Sequence, residues 1–357
     1  NCTALTDVTF EDGYAIGDYM FKGCTSLKEI VLPASLTNVG RNVFENCTAL
    51  TDVTFEEGYT IIGDYMFKGC TSLSSVTLPS SLTRIGVQAF YTCESLQPFM
   101  INGSELEYGN NCLPSHHTEL IFGKNITKMT FSDRLSNTIT SVKFEEGSRC
   151  REIIGYPFSS RKNLTCVELP ESLTAIGDEM FQSCTGLTEI EIPEAVTSIG
   201  QNAFLGCSGL IHINIPDNVV TISYGAFRNC TGLTEVKIPC GITTLGKFVF
   251  DGCTGLRDVT LEDGLSSIGD HMFSNCTGLT EIVIPVSVTE IGDYAFYRAT
   301  SLASIYCKPL TPPTVGSYTF SGVSSEVQKI YVPSSSLKLY QDEFGMTLKD
   351  RIVGYEY

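Results

Sequence analysis

The chain has 357 residues, of which 42% are hydrophobic and 18% charged; it carries no Trp, and 40 acidic residues outweigh 23 basic ones for a formal net charge of −17. Such a composition folds, and is neither disordered nor membrane-spanning, while the charge repels nucleic acid and anionic lipid, so neither is an expected partner. No apolar run reaches the roughly 18 residues that a transmembrane helix requires, so direct membrane insertion of this segment is not expected.

In chain order, the sequence opens in mid-pattern with Asn1-Cys2-Thr3 and no Met, so a signal or anchor is expected outside this segment. A unit of about 23 residues then recurs, headed by Cys2, Cys24, Cys47, Cys70 and Cys93. From Cys70 it reads CTSLSSVTLPSSLTRIGVQAF, and the general frame is C-T-x-L-x-x-[VI]-x-[LI]-P-x-x-[LV]-T-x-I-G-x-x-A-F. Within L-x-x-[VI]-x-[LI] apolar and polar residues alternate, which predicts one short strand per turn with Val76 and Leu78 inward and Ser75 and Thr77 outward. The Pro that follows (Pro33, Pro79, Pro170, Pro193, Pro216, Pro239, Pro285) has no N–H and ends the strand. Ile-Gly, as in Ile85-Gly86, Ile199-Gly200 and Ile291-Gly292, predicts a tight corner that wants no Cβ. Ala-Phe supplies a packing wedge, with Phe90, Phe204, Phe227 and Phe296 expected to stack as an aromatic column.

Between residues 94 and 160 the units are atypical and lose the heading Cys, the Pro and often the Ala-Phe. Degenerate units are placed near Pro114, Ser136 and Arg161. The regular frame returns at Cys184 as CTGLTEIEIPEAVTSIGQNAF, continues through Cys207, Cys230, Cys253 and Cys276, and has a further unit at Ala299. The count is about fourteen turns and a terminal one, with a solenoid over 1–323 and a capping segment over 324–357.

With L-x-x-[VI]-x-[LI]-P, I-G-x-x-A-F and C-T-x-L in one frame, the chain resembles the BspA-like leucine-rich-repeat family. The tail, with Thr311-Pro312-Pro313, Lys329-Ile330-Tyr331-Val332-Pro333 and Asp350-Arg351-Ile352-Val353-Gly354, looks like the terminal segment of bacterial surface members. The implied fold is an α/β-type repeat solenoid, a right-handed superhelix with a parallel concave sheet of short strands and an irregular or short-helical convex side. The resemblance also implies a secreted or cell-surface bacterial protein that binds or adheres to a host or neighbouring-cell protein, without catalytic residues and without a cofactor. A monomer is expected. Two further readings stay open: recognition of glycans or peptides in support of nutrient capture, and a passive spacer for another domain.

Ten of the fifteen cysteines share one repeat position, which argues for packing over chemistry. Cys24, Cys47, Cys70, Cys93, Cys184, Cys207, Cys230, Cys253 and Cys276 are therefore expected to form a buried ladder of thiols. Cys112, Cys150, Cys166, Cys240 and Cys307 lie off that register, and one bridge among them stays open. No C-x-x-C or H-E-x-x-H is present, so no metal site is expected. Cys112 with His116 and His117 reads as an ordinary loop, His212 and His271 stand alone, and the Asn-Cys-Thr triplets at Asn46, Asn229 and Asn275 read as part of the frame.

What remains for function is the outward face of the strands. Its second outward position carries Asp7, Glu29, Asp52, Glu119, Glu189, His212, Glu235, Asp258 and Glu281 among neutral residues, and Tyr306 is the one aromatic placed on the face. Like charges at strand spacing repel, so such a column serves solubility, meets a basic patch on a protein, or holds Ca²⁺. The atypical stretch is the second candidate site, set against the alternative of a decayed repeat.

Overall fold

The computed structural model describes residues 2–11, 13–36, 38–96, 99–323, 329–344 and 349–356. Two compact units, Asn1–Leu173 and Thr174–Tyr357, divide the chain. Both are parallel-strand solenoids, about 14 turns in all, with very little helix. Among the described residues the α-helix is confined to Leu337–Glu343.

Where the first strand of a turn forms, it falls where apolar and polar residues alternate, and the turns headed by Cys184 and Cys207 keep only a single bridge, Glu191 with Asn214. Glu29–Leu32 pairs in parallel with Asp52–Phe55, which pairs with Ser75–Thr77; Ile30 and Leu32 are buried, Glu29 and Val31 exposed. In the second unit Glu235–Ile238 pairs with Asp258–Leu261, and Glu281–Ile284, Ser304–Cys307, Lys329–Pro333 and Ile352–Tyr355 form one sheet. Pro33, Pro79, Pro239 and Pro285 follow their strands as expected, with Glu56 and Glu262 in that place in two other turns, and the Pro carbonyl then accepts from the N–H three residues on, as in Leu173 N to Pro170 O at 2.9 Å.

One strand per turn was too few. The T-x-I segment before each Gly is a second short strand, and these pair in their own parallel ladders: Ala175–Ile176, Ser198–Ile199, Thr221–Ile222 and Thr244–Leu245 in the second unit, and Ile61–Ile62 through Glu152–Ile154 in the first. β-branched Thr and Ile suit such a pleated, half-buried surface. Two-residue strands carry too little alternation to be seen as a period.

The reason for the Gly also differs from a tight corner. A Cβ on Gly200 would lie 2.5 Å from Asp178 Oδ1 and 2.6 Å from Asp178 N. That carboxylate is itself fixed by the Gln201 N–H at 2.6 Å. The Gly is required because successive turns touch there.

On the third side the x-x-A-F segments exchange main-chain hydrogen bonds with their neighbours, as in Phe204 N to Ala226 O at 2.7 Å. The aromatic column stands as predicted. Phe21, Phe44, Phe67 and Phe90 stack at 5.4–5.5 Å in the first unit, and Phe181, Phe204, Phe227, Phe250, Phe273, Phe296 and Phe320 at 5.2–5.7 Å in the second. Asn46, Asn229 and Asn275 take φ of 58–60° in the turn before the Cys, a left-handed conformation that Asn tolerates better than most residues. Their recurrence has a backbone cause.

The nine ladder cysteines are buried. Seven of these thiols, those of Cys47, Cys70, Cys93, Cys207, Cys230, Cys253 and Cys276, bond a phenylalanine carbonyl 26 residues earlier, as in Cys93 Sγ to Phe67 O at 3.2 Å and Cys230 Sγ to Phe204 O at 3.1 Å. All fifteen cysteines stand as thiols, and Cys2, Cys166 and Cys240 are the exposed ones. Burial pushes Cys47, Cys93 and Cys253 up to about 12, which suppresses the nucleophilic thiolate. Ellman titration at neutral pH is expected to count the three exposed thiols in the native protein and all fifteen after denaturation; rapid native labelling of the ladder would contradict this packing.

The atypical turns keep the ladders but change what fills them. Leu120 pairs with Phe99, which sets His117 at the buried position held by Leu73 and Leu96 in the turns before. His117 is 2% exposed, and burial lowers its pKa against a partial offset from the main chain of Glu119 and Leu96. A lowered imidazole pKa contributes stability that is present above the unfolded value near 6.5 and lost as pH falls. His117→Leu, which restores the residue of the repeat, is therefore expected to gain stability over the wild type as pH drops from about 7.5 to about 5; a pH-independent difference in thermal melts would refute it.

Candidate functional site

Of the residues picked out by spacing, Glu29, Asp52, Glu119, Glu235, Asp258, Glu281 and Tyr306 lie in strands, whereas Asp7, Glu189 and His212 lie on extended segments outside them, the last two beside the isolated bridge of Glu191 with Asn214. Asp7, Glu29, Asp52, Glu189, His212, Glu235, Asp258 and Glu281 are exposed, and Glu119 and Tyr306 half-buried. Within the first unit Glu29 stands in register with Asp52; within the second, Glu235 stands in register with Asp258. Tyr306 belongs to the next outward position, in register with Val283 and Tyr331.

Their charges are not handled alike. Glu119 meets Lys143 Nζ at 3.1 Å, and the same lysine lies 3.9 Å from Glu168. His212, read as solitary, has Nδ1 3.1 Å from Glu235 Oε1. Lys237, two residues along from Glu235, is taken by Glu262 at 2.7 Å. Glu29, Asp52, Glu189, Asp258 and Glu281 make no ion pair among the described residues. Each unit thus presents exposed carboxylates whose charge the fold does not cancel, a surface suited to a cationic partner. Among the described residues no group of three or more His, Cys, Asp or Glu side chains is placed to hold a metal ion, and no helix is long and apolar enough to cross a membrane.

Sequence spacing missed two aromatic features. Tyr306 is not alone on its face: Tyr331 stacks on it at 4.6 Å and 8°, and Tyr355 stands edge-on to both, at 6.4 and 5.9 Å. The signal was present in Ile330-Tyr331-Val332-Pro333, which repeats the [VI]-x-[LI]-P of the frame inside the segment taken as a cap. Beside this cluster lies an open hollow of about 510 Å³ lined by Val286, Lys308, Leu310, Pro333 and Tyr355 among others. On the turn side of the second unit, Phe248, His271, Tyr294 and Tyr318 stack in sequence at 4.1, 4.7 and 5.1 Å. His271 is thus sandwiched, not solitary. All four hold φ of 55–62°, an uncommon conformation for bulky side chains, and all sit two residues before the column phenylalanine.

A parallel-strand solenoid whose turns share a strand of this pattern and whose regular turns stack a phenylalanine column is a leucine-rich-repeat protein. The family model for the BspA type leucine rich repeat region matches in six copies, over residues 1–121, 118–234 and 221–349, and the chain belongs to this family. It is similar to a leucine-rich repeat protein of Bacteroides ovatus, with 27% identity, a TM-score of 0.61, and 98% of this chain and 90% of that one covered. A leucine rich cell surface protein of Faecalibacterium prausnitzii matches at 23% identity and a TM-score of 0.35, over 98% of this chain and 89% of that one. No curated protein matches the chain.

The in-register acids give a direct test of how the face is charged. Removing one of a cross-strand like-charge pair relieves repulsion that salt screens. Asp52→Asn is expected to raise the melting temperature at low ionic strength, with the gain shrinking at high salt; equal gains in both conditions would point to a cause other than repulsion.

Proposed function

We propose that this protein is a non-catalytic recognition module of the bacterial cell surface, and that it binds a host or neighbouring-cell protein through the strand face of its repeats. The observation that carries this reading is the exposed, uncancelled carboxylates at Glu29 and Asp52 in the first unit and at Glu189, Asp258 and Glu281 in the second. A soluble surface needs charge of either sign, whereas this face leaves one sign uncancelled, because its lysines Lys143 and Lys237 are held in ion pairs. The complementary partner presents a basic patch, and its association weakens with salt. Surface placement rests on the family, whose members are typically bacterial surface proteins.

A glycan-binding reading is favoured by one observation, the Tyr306, Tyr331 and Tyr355 cluster, because sugars bind on aromatic surfaces with hydroxyls at hand.

The two readings part in one experiment. The wild type, a variant with Glu189, Glu235, Asp258 and Glu281 all changed to Lys, and Tyr306→Ala are tested against a panel of extracellular-matrix and epithelial proteins and against a glycan array. Protein binding that falls at least about tenfold in the charge-reversed variant and is unaltered in Tyr306→Ala supports the acidic face. Protein binding that survives charge reversal ends that reading, and glycan binding lost only in Tyr306→Ala replaces it. Silence on both panels favours a spacer.

A further inference from the structure

The phenylalanine column of the first unit is interrupted where the units are atypical. Phe90 N bonds Cys112 O as Phe67 N bonds Ala89 O, so Leu113 occupies the position that a phenylalanine fills in the regular turns. Leu135 N bonds Pro157 O in the same manner, so Leu135 is next in the column, before Phe158. Two leucines in succession leave space that stacked rings fill elsewhere. A cavity of about 370 Å³ lies there, with Leu113 and Leu135 in its wall. That volume is in the range of small-molecule sites.

The same turns put polar side chains at positions the repeat keeps apolar, and these line the same cavity. His117 replaces the buried Leu of the frame. Arg134 precedes Leu135 as Ala89 precedes Phe90. Arg161 sits at the heading Cys position: its N–H bonds Phe158 O as Cys93 N bonds Phe90 O, and its Nη1 donates to Leu135 O, 26 residues back, as the ladder thiols donate to phenylalanine carbonyls. Arg161 is 8% exposed. A repeat that merely decays collects surface-tolerant changes; it does not gather three basic side chains around one interior space on a chain of net charge −17.

Two buried side-chain nitrogens there have no hydrogen-bond partner within the protein. His117 Nε2 and Arg134 Nε make no hydrogen bond, and buried orphans of this kind mark bound water or a ligand. The one carboxylate in the wall, Asp133, accepts the main-chain N–H of Arg134 at 2.7 Å. Tyr108, Leu120, Phe131 and Ile139 give the wall its apolar side, and Asn111 and Asn137 are among its further polar members.

We propose that this cavity binds a small organic carboxylate, with the carboxylate at Arg134, Arg161 and His117 and an aliphatic or aromatic body against Tyr108, Leu113, Leu120 and Phe131. Guanidinium matches a carboxylate in shape and charge. A compact hydrated anion such as inorganic phosphate would leave the apolar wall uncovered.

The test is calorimetric titration of the whole chain with acetate, butyrate, hexanoate, benzoate and phenylacetate, each matched by its alcohol, and with inorganic phosphate. Affinity that rises with the apolar body and is absent for the alcohols is the expected result. Arg134→Ala, which restores the residue of the repeat, is expected to weaken binding about tenfold or more, and Leu135→Phe, which refills the column, to abolish it; thermal melts verify that both fold. The proposal falls if no carboxylate binds at millimolar concentration, leaving water alone in the cavity, if phosphate binds as well as hexanoate, or if binding persists in a folded Leu135→Phe.

Discussion

Each turn completes its core only with the turns beside it, and this requirement governs the rest of the structure. Three sets of main-chain hydrogen bonds tie a turn to its neighbours, two of them strand ladders and one the bonding of the x-x-A-F segments. Because the register is fixed on all three, a residue type at one frame position becomes a column in space. The phenylalanines stack on one another, the thiols reach the carbonyls of the previous turn, and the asparagines adopt one repeated left-handed geometry. Columns of like residues are a consequence of translation, with each member stabilised by the next.

The same rule makes departures informative. Where a regular turn carries Leu, Ala, Cys and Phe, the atypical turns carry His117, Arg134, Arg161 and the smaller Leu113 and Leu135. An isolated polar residue in such a core would be a defect costing a few kcal/mol if left without a partner. Here the replacements share one interior space, so that loss of ring volume and gain of donors coincide. On the outside, translation works differently: carboxylates at one outward position face each other across strands and remain in water. Repulsion there is a small, screened cost, and the result is a surface of one sign on a stiff support.

The sequence by itself determined the repeat, its length, the first strand, the inward and outward alternation, the phenylalanine column and the buried thiol ladder, because each depends on residue type at a fixed spacing and the spacing recurs many times. It also placed the acidic residues on the outward face, for the same reason. Only the tertiary structure decided what depends on distance between turns. The second strand ladder is two residues wide and carries no legible period. Gly200 is demanded by Asp178 of the turn before, 22 residues away, and not by its own backbone. Tyr331 and Tyr355 join Tyr306 because the tail continues the same register, and His117 is an interior residue, not a loop residue, because Leu120 pairs with Phe99. Local pattern fixes which way a side chain points, whereas its neighbours are set by how turns stack, and the chemistry of the atypical stretch belongs to the neighbours.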